Sequence, residues 1–93
     1  MSLEKIFYYR GNLLFWYKDL DSAIDQLRKA TSKAGGLDSH TALLAWMRLG
    51  QANDMKGRRN EALDAYKRAI AVAPESDIAK ESRQYLSSPY KRS

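Results

Sequence analysis

The chain has 93 residues, of which 44% are hydrophobic, so it is long enough for one small domain with a modest core. No apolar run approaches the ~18 residues that a membrane span needs, and Lys5 and Arg10 interrupt the apolar start, so neither a transmembrane helix nor a signal peptide is predicted in this stretch. The absence of cysteine excludes disulfides, thiol catalysis and cysteine metal sites. The net charge of +5 is compatible with an acidic partner, but a solvated surface alone explains an excess of this size.

The first predicted helix, from about Leu3 to Tyr17, is apolar almost all round, which is typical of a helix buried on more than one side. The face expected to bind it to its own hairpin consists of Leu3, Ile6, Phe7, Leu14 and Tyr17. Gly11 allows a neighbouring helix to approach closely. Four aromatic residues lie on faces that one hairpin cannot cover completely: Tyr8, Tyr9, Phe15 and Trp16.

The second predicted helix runs from about Leu20 to Ala34 and carries an apolar stripe at helical spacing. Asp19 or Asp21 is expected to cap it, because a short carboxylate accepts the free amide hydrogens of a first turn. Residues 34–39 contain two glycines and are predicted to form a loop.

Three more helices are predicted over about 40–56, 61–72 and 76–86, with Pro74 ending the second of these. Their expected caps are Asp38 or Ser39, then Asn60, then Ser76 or Glu75. The last helix has a polar outer face and would close the stack, and residues 88–93 are predicted to be a flexible polar tail.

Two segments of the chain are similar at one constant shift in numbering, which carries Gly11 onto Gly50 and residues 23–30 onto 62–69. This constant difference in residue number, which separates Gly11 from Gly50, is called the repeat shift. The second copy has an apolar, small and aromatic pattern at fixed spacing, formed by Trp46, Leu49, Gly50, Ala62, Tyr66, Ala69 and Pro74. This pattern resembles the signature of the tetratricopeptide repeat, except that Asn53 stands where that family usually has tyrosine. The resemblance is clear over residues 43–76 and identifies a degenerate copy over about 4–36, with the loop absorbing the residues beyond the usual period of about 34.

The resemblance implies an all-α, right-handed antiparallel array of two helix hairpins with a C-terminal capping helix, as one domain over residues 1–87. Domains of this family are scaffolds that bind peptides or proteins and are not enzymes. We therefore expect a non-catalytic protein–protein interaction module, within a larger and bacterial chain, without catalytic, metal or cofactor residues. The alternative is a basic RNA-binding or assembly module.

In this family the first helix of each repeat lines a concave surface. The positions that would contact a protein or peptide ligand are Tyr8, Asn12, Phe15, Leu44, Met47, Arg48, Gln51 and Met55. The subclass that grips a peptide carboxylate uses a lysine, asparagine and arginine set, of which Asn12 matches while Tyr8 takes the place of the lysine. Tyr9 and Trp16 are predicted to mediate homodimerisation through the first helix. The alternatives are that they meet a preceding repeat in a longer protein, or that they pack on the second helix and the loop so that nothing is exposed.

Other polar residues favour structural interpretations. His40 is the only histidine and has no metal-ligand partner in the sequence, so we expect it at the surface. The basic clusters are interleaved with carboxylates, which favours a solvated surface or an acidic protein partner over nucleic acid. These clusters are Arg28, Lys29 and Lys33; Lys56, Arg58 and Arg59; Lys67 and Arg68.

Overall fold

The computed structural model describes residues 2–92, which form five α-helices and no strand. The helices are α1 (Leu3–Trp16), α2 (Leu20–Thr31), α3 (Ser39–Met55), α4 (Arg59–Val72) and α5 (Asp77–Ser87). α1 and α2 pack as one hairpin and α3 and α4 as a second, while α5 packs on α4 and α3. The predicted all-α array of two hairpins with a closing helix is confirmed. None of these five helices is long and apolar enough to cross a membrane.

The two hairpins turn in the same way, at positions related by the repeat shift. Lys18 and Gly57 follow α1 and α3 with left-handed φ angles of 65° and 76°. The amide of Lys18 donates to the carbonyl of Phe15 and that of Gly57 to the carbonyl of Asp54, both at 3.0 Å. In each hairpin the next amide donates to a carbonyl five residues earlier, at 3.0 and 2.8 Å. The two hairpins therefore share one turn geometry.

The helix caps match the predictions in part. Asp38 and Ser76 each accept an amide hydrogen from the residue three positions later, which confirms them as N-caps of α3 and α5. Asp19 occupies the N-cap position of α2, but its side chain makes no capping hydrogen bond. The prediction that Asn60 caps α4 is wrong, because α4 begins at Arg59 and Arg58 occupies the N-cap position, so Asn60 lies within the helix. The turn at Gly57 fixes that start through its backbone hydrogen bonds.

The packed face of α1 matches the predicted one only in part: Phe7 and Leu14 are half-buried and pack against the core as predicted, but the most buried residues lie beside them. Tyr8, Gly11 and Phe15 are buried, whereas Leu3 and Tyr17 are 58% and 76% exposed. The reason lies at Gly11, where an added Cβ would be 2.7 Å from a side-chain atom of α2. The two helices come close at this glycine, so the residues one turn before and after it are buried whether or not other faces are more apolar.

The core has two parts that meet at α3. The larger part joins α1, α2 and α3, and includes the fully buried Phe15 and Leu27. The smaller part joins α3 and α4 around Tyr66, and α5 covers it with Ile78 and Leu86. Because α3 contributes to both parts, it sets the position of α1 relative to α5.

Candidate functional site

A chain of hydrogen bonds crosses α1, α3 and α5. Arg48 donates from Nε to Asn12 Oδ1 at 2.9 Å and from Nη1 to Gln51 Oε1 at 2.6 Å. Gln51 Nε2 donates to the Tyr85 hydroxyl at 3.4 Å, and that hydroxyl donates to Glu81 Oε2 at 2.6 Å. These five side chains are called the polar ladder below. The structure thus brings together three residues predicted for the concave face: Asn12, Arg48 and Gln51.

The polar ladder has a positive and a negative end. Burial lowers the pKa of Arg48 from its ordinary value, but a guanidinium remains charged at neutral pH. Burial and then the hydrogen bond to Glu81 raise the pKa of Tyr85 to about 12, so its hydroxyl stays protonated and donates. Positive charge therefore lies between α1 and α3, and negative charge lies on α5.

The other residues predicted for the concave face lie at or beneath this surface. Tyr8, Phe15 and Met47 are buried, at 7%, 0% and 4% exposure, so they support the surface from below. Leu44 and Met55 are half-buried and pack against the larger part of the core. Partner binding by all eight residues stays a prediction, and only the half-buried ones are reachable without rearrangement.

Two aromatic rings hold Arg48 in place. Its guanidinium lies 5.0 Å from the ring centroid of Phe15 and 4.9 Å from that of Trp16. A guanidinium over an aromatic face is attracted by the ring quadrupole. Arg48 forms no ion pair with a carboxylate among residues 2–92, and its close partners there are the two rings and the side-chain oxygens of Asn12 and Gln51.

Residues 88–92 lie across the same surface without regular secondary structure, beginning with extended backbone angles at Ser88. The Tyr90 amide donates to Asp54 Oδ2 at 3.0 Å, and the Tyr90 ring lies 6.1 Å from Phe15 and 5.4 Å from Tyr85. The segment therefore passes from α5 over the end of α3 towards α1.

Arg92 continues this path onto α1. Its Nη2 donates to the carbonyl of Phe15 at 2.8 Å, and its guanidinium lies 4.5 and 5.0 Å from the rings of Phe15 and Trp16. Sequence reasoning expected residues 88–93 to be a flexible tail apart from the domain. Mobility of this segment stays a prediction, but its described part, up to Arg92, contacts the domain, and Ser93 lies outside the described residues.

Asp54 anchors this arrangement and was not identified from the sequence. Its side chain is 2% exposed and accepts hydrogen bonds from Arg59 Nη1 to both oxygens at 2.9 Å, and from the Tyr66 hydroxyl at 2.7 Å. Arg59 Nη2 donates in turn to the carbonyls of Tyr85 and Leu86, at 2.6 and 3.2 Å. Burial, and then the bond to Asp54, raise the pKa of Tyr66 above its ordinary value. Hydrophobic periodicity does not single out a carboxylate next to a turn, so no sequence pattern indicated that Asp54 is buried.

Tyr9 and Trp16 are 49% and 52% exposed, and Leu13 between them is 57% exposed. The alternative prediction, that Tyr9 and Trp16 pack on the second helix with nothing exposed, is therefore wrong. The repeat shift carries Leu13 onto Ala52, which is fully buried between the two hairpins. The exposed face of α1 is thus the counterpart of the α3 face that the first hairpin covers.

The basic clusters are broken up by ion pairs with nearby carboxylates. These pairs are Lys29–Asp25 at 3.1 Å, Lys56–Asp21 at 3.1 Å and Arg68–Asp64 at 3.2 Å. Exposed pairs of this kind stabilise little, but they reduce the positive potential that a phosphate backbone would meet. His40 is exposed, and no group of three acidic, histidine or cysteine side chains suited to a metal ion occurs among the described residues.

Comparison with known proteins agrees with this geometry. Residues 43–76 match the family model described as the tetratricopeptide repeat. No curated protein and no solved structure matches the chain. Repeats of this family generally mediate protein–protein interactions and are typically non-catalytic. The matched residues span most of α3, all of α4 and the cap of α5, and the chain therefore contains a tetratricopeptide repeat at residues 43–76.

Proposed function

We propose that this chain is a non-catalytic interaction module that binds an extended protein segment on the surface shared by α1, α3 and α5. The observation that carries the proposal is the polar ladder, which spans all three helices. Its hydrogen bonds hold polar groups in fixed positions before a ligand arrives. Binding to a preorganised surface avoids the entropy cost of ordering those side chains.

The chemistry of the surface suits a main-chain ligand. Leu44, Arg48 and Met55 are half-buried on one face of α3, and the buried Gln51 supports Arg48 by accepting its hydrogen bond, so polar and apolar groups share one stripe. Arg48 lacks a carboxylate partner among the described residues and can donate to a carbonyl or carboxylate of the ligand. The half-buried Leu44 and Met55 offer apolar contact on either side.

Site-specific photo-crosslinking in the source organism tests this proposal. A photoreactive residue at Leu44 should capture a small set of proteins, whereas the same residue at Asp64, on the exposed side of α4, should capture none of them. Arg48→Glu should reduce the adducts from Leu44 at least about tenfold, because it reverses the charge at the centre of the surface. Equal capture from both positions, or no adduct from Leu44, would contradict the proposal.

We also propose that the exposed α1 face, formed by Tyr9, Leu13 and Trp16, binds a second copy of the chain. Repeats of this kind bury such faces by stacking, and an uncovered aromatic patch usually marks an interface. Sedimentation at about 0.1 mM should detect a dimer. Tyr9→Lys/Leu13→Lys should abolish it without loss of helicity, and Trp16 is left unchanged because it supports Arg48 and Arg92.

The matched control for the dimer is Val72→Lys, which places a charge at an exposed apolar residue of α4. This variant should dimerise like the unaltered chain. A chain that sediments as a monomer at that concentration, or dissociation by Val72→Lys as well, would rule out an interface on α1.

RNA binding is the second candidate function, since the net charge of +5 favours it. The ion pairs with Asp21, Asp25 and Asp64 count against it, because they reduce the positive potential of the basic clusters. Fluorescence anisotropy with single-stranded and duplex probes separates the two functions. Micromolar affinity that persists at about 150 mM salt would favour RNA binding, since weak phosphate contacts are lost with added salt.

A further inference from the structure

We propose that residues 88–92 are a resident ligand of the α1/α3/α5 surface, and that the partner which replaces them is an extended segment with an aromatic residue and an arginine two positions later. This inference rests on the proposed function, because it names the ligand class for the same surface. The contacts that residues 88–92 make indicate which groups of a ligand the surface binds.

The contacts of the segment fall on alternate residues, which is the spacing expected of an extended ligand. Alternate side chains of an extended chain point to the same side. Tyr90 and Arg92 are two residues apart and both contact Phe15, while Lys91 between them is exposed. The surface therefore recognises two alternate side chains and leaves the intervening residue in solvent.

The main chain of the segment is recognised as well. The Tyr90 amide donates to Asp54, whose carboxylate is held by Arg59 and Tyr66. An acceptor fixed in this way does not depend on the side chain of the ligand. It sets the register, so that the aromatic ring falls between Phe15 and Tyr85.

Two features of the surface favour an arginine at the position of Arg92. The C-terminal end of α1 presents the Phe15 carbonyl, and the negative end of a helix dipole favours a cation. The rings of Phe15 and Trp16 add cation–π attraction. Lysine would lack the planar group that both donates to the carbonyl and lies over the rings, so the proposal specifies arginine.

The resident segment fits the site imperfectly. Arg92 Nη1 is buried and has no hydrogen-bond partner among the described residues. An unpaired buried donor is costly, so a ligand that supplies an acceptor there would bind better. Because the resident segment is tethered, it competes at an effective concentration on the order of millimolar, and only a better or abundant ligand displaces it.

The experiment uses the full chain and a fluorescein-labelled peptide with the sequence of residues 88–93. Fluorescence anisotropy is measured for the unaltered chain, for Tyr90→Ala/Arg92→Ala and for the control Lys91→Ala. The double variant should bind the peptide at least about tenfold more tightly than the other two, because its own segment no longer competes. A peptide carrying alanine at positions 90 and 92 should bind none of the three chains measurably.

Two results would overturn the proposal. One is equal peptide affinity of the double variant and the unaltered chain. The other is no peptide binding by a double variant whose circular dichroism shows the unaltered helix content. Photo-crosslinking from Leu44 separates the failures: if adducts persist while the peptide does not bind, the surface still binds proteins and only the ligand class is wrong. If the adducts are also missing, the proposed function fails as well.

Discussion

The two hairpins share one turn geometry and a glycine at the helix crossing, but they differ in how they fill that crossing. Gly11 of α1 faces Leu27, whereas Gly50 of α3 faces Tyr66, and the two pairs are related by the repeat shift. A glycine at each crossing lets the helices approach, so the opposing side chain decides the chemistry. Leucine leaves an apolar crossing, while tyrosine brings a hydroxyl that must find a hydrogen-bond partner when buried.

The neighbours of the crossing differ accordingly. The apolar set is Phe15, Leu20 and Leu27, and its polar counterpart at the same positions is Asp54, Arg59 and Tyr66. The apolar set is packed within the larger core, and its Phe15 also contacts Tyr90 and Arg92 through its ring and its carbonyl. The polar set binds the end of α5 and the Tyr90 amide through side-chain hydrogen bonds. The same positions thus hold the C-terminal segment by ring contacts in the first hairpin and by polar side chains in the second.

Removing Asp54 should have the largest effect. Asp54→Ala would leave Arg59 and the Tyr66 hydroxyl without their acceptor, and we expect a loss of about 3 kcal/mol in the free energy of unfolding. Asp64→Ala is the matched control, because this exposed carboxylate pairs with one arginine on its own helix and should be within about 0.5 kcal/mol of neutral. Urea denaturation of both variants decides the matter, and equal midpoints would refute the role of Asp54.

A triple variant sharpens the comparison. Asp54→Phe/Arg59→Leu/Tyr66→Leu gives the second hairpin the apolar set of the first. Replacing a buried ion pair by apolar residues is often neutral or stabilising, so this variant should be more stable than Asp54→Ala. Stability as low as that of Asp54→Ala would mean that the two crossings are not interchangeable.

Equivalent packing of the two hairpins is tested at two fully buried alanines, Ala23 and Ala62, which are also related by the repeat shift. Changing either to leucine should cost about 1–3 kcal/mol by overpacking. The controls Asp25→Ala and Asp64→Ala change exposed residues and should be nearly neutral. Denaturation midpoints that fall for only one of the two leucine variants would show that the hairpins pack differently.

The turns offer a smaller effect of opposite sign. Lys18 has a left-handed φ of 65° where the second hairpin has Gly57. Lys18→Gly should raise the free energy of unfolding by about 0.5–1 kcal/mol, because it removes left-handed strain of about 1–2 kcal/mol but adds entropy to the unfolded chain. Lys18→Ala keeps the strain and should be neutral. A destabilised Lys18→Gly in thermal melts would contradict this account.

Local patterns predicted much of the fold. The second hairpin follows from spacing around Gly50 and Tyr66, and the caps Asp38 and Ser76 follow from short side chains before apolar stripes. The loop before α3 follows from the glycines and the excess length of the first copy. These features depend on neighbours within about one helical turn, where sequence periodicity carries the information.

What could not be predicted depends on contacts between distant residues. Arg92 contacts Phe15 across 77 positions, and no periodicity relates them. The close approach at Gly11 was predicted, but the packed face of α1 was predicted only in part, because the helix is apolar all round and apolar content alone did not show that Tyr8 and Phe15 are the most buried residues. The residues predicted for the concave face all lie on α1 and α3. The contacts that α5, residues 88–92 and Asp54 make beside them were not predicted.

The helix starts provide the last contrast and the smallest expected effect. α1 is capped by Ser2, which does not ionise, whereas α3 is capped by Asp38. Hydrogen bonds from the side chain and amide of Thr41 lower the pKa of Asp38 to about 2. A lowered folded-state pKa means that the stabilisation is complete above the unfolded value of 3.8 and is lost as the pH falls from about 4 to about 2.

Asp38→Ser would give α3 the cap of α1 and remove this pH dependence. Thermal melts between pH 7 and pH 3 should show the unaltered chain losing its advantage over Asp38→Ser once the pH falls below about 4. Ser2→Ala serves as the control, because its difference from the unaltered chain should not change across the same window. If the stability advantage of the unaltered chain over Asp38→Ser grew in acid, its sign would be wrong for a carboxylate stabilised in its charged form. If the advantage stayed constant, Asp38 would act as a neutral cap, as Ser2 does.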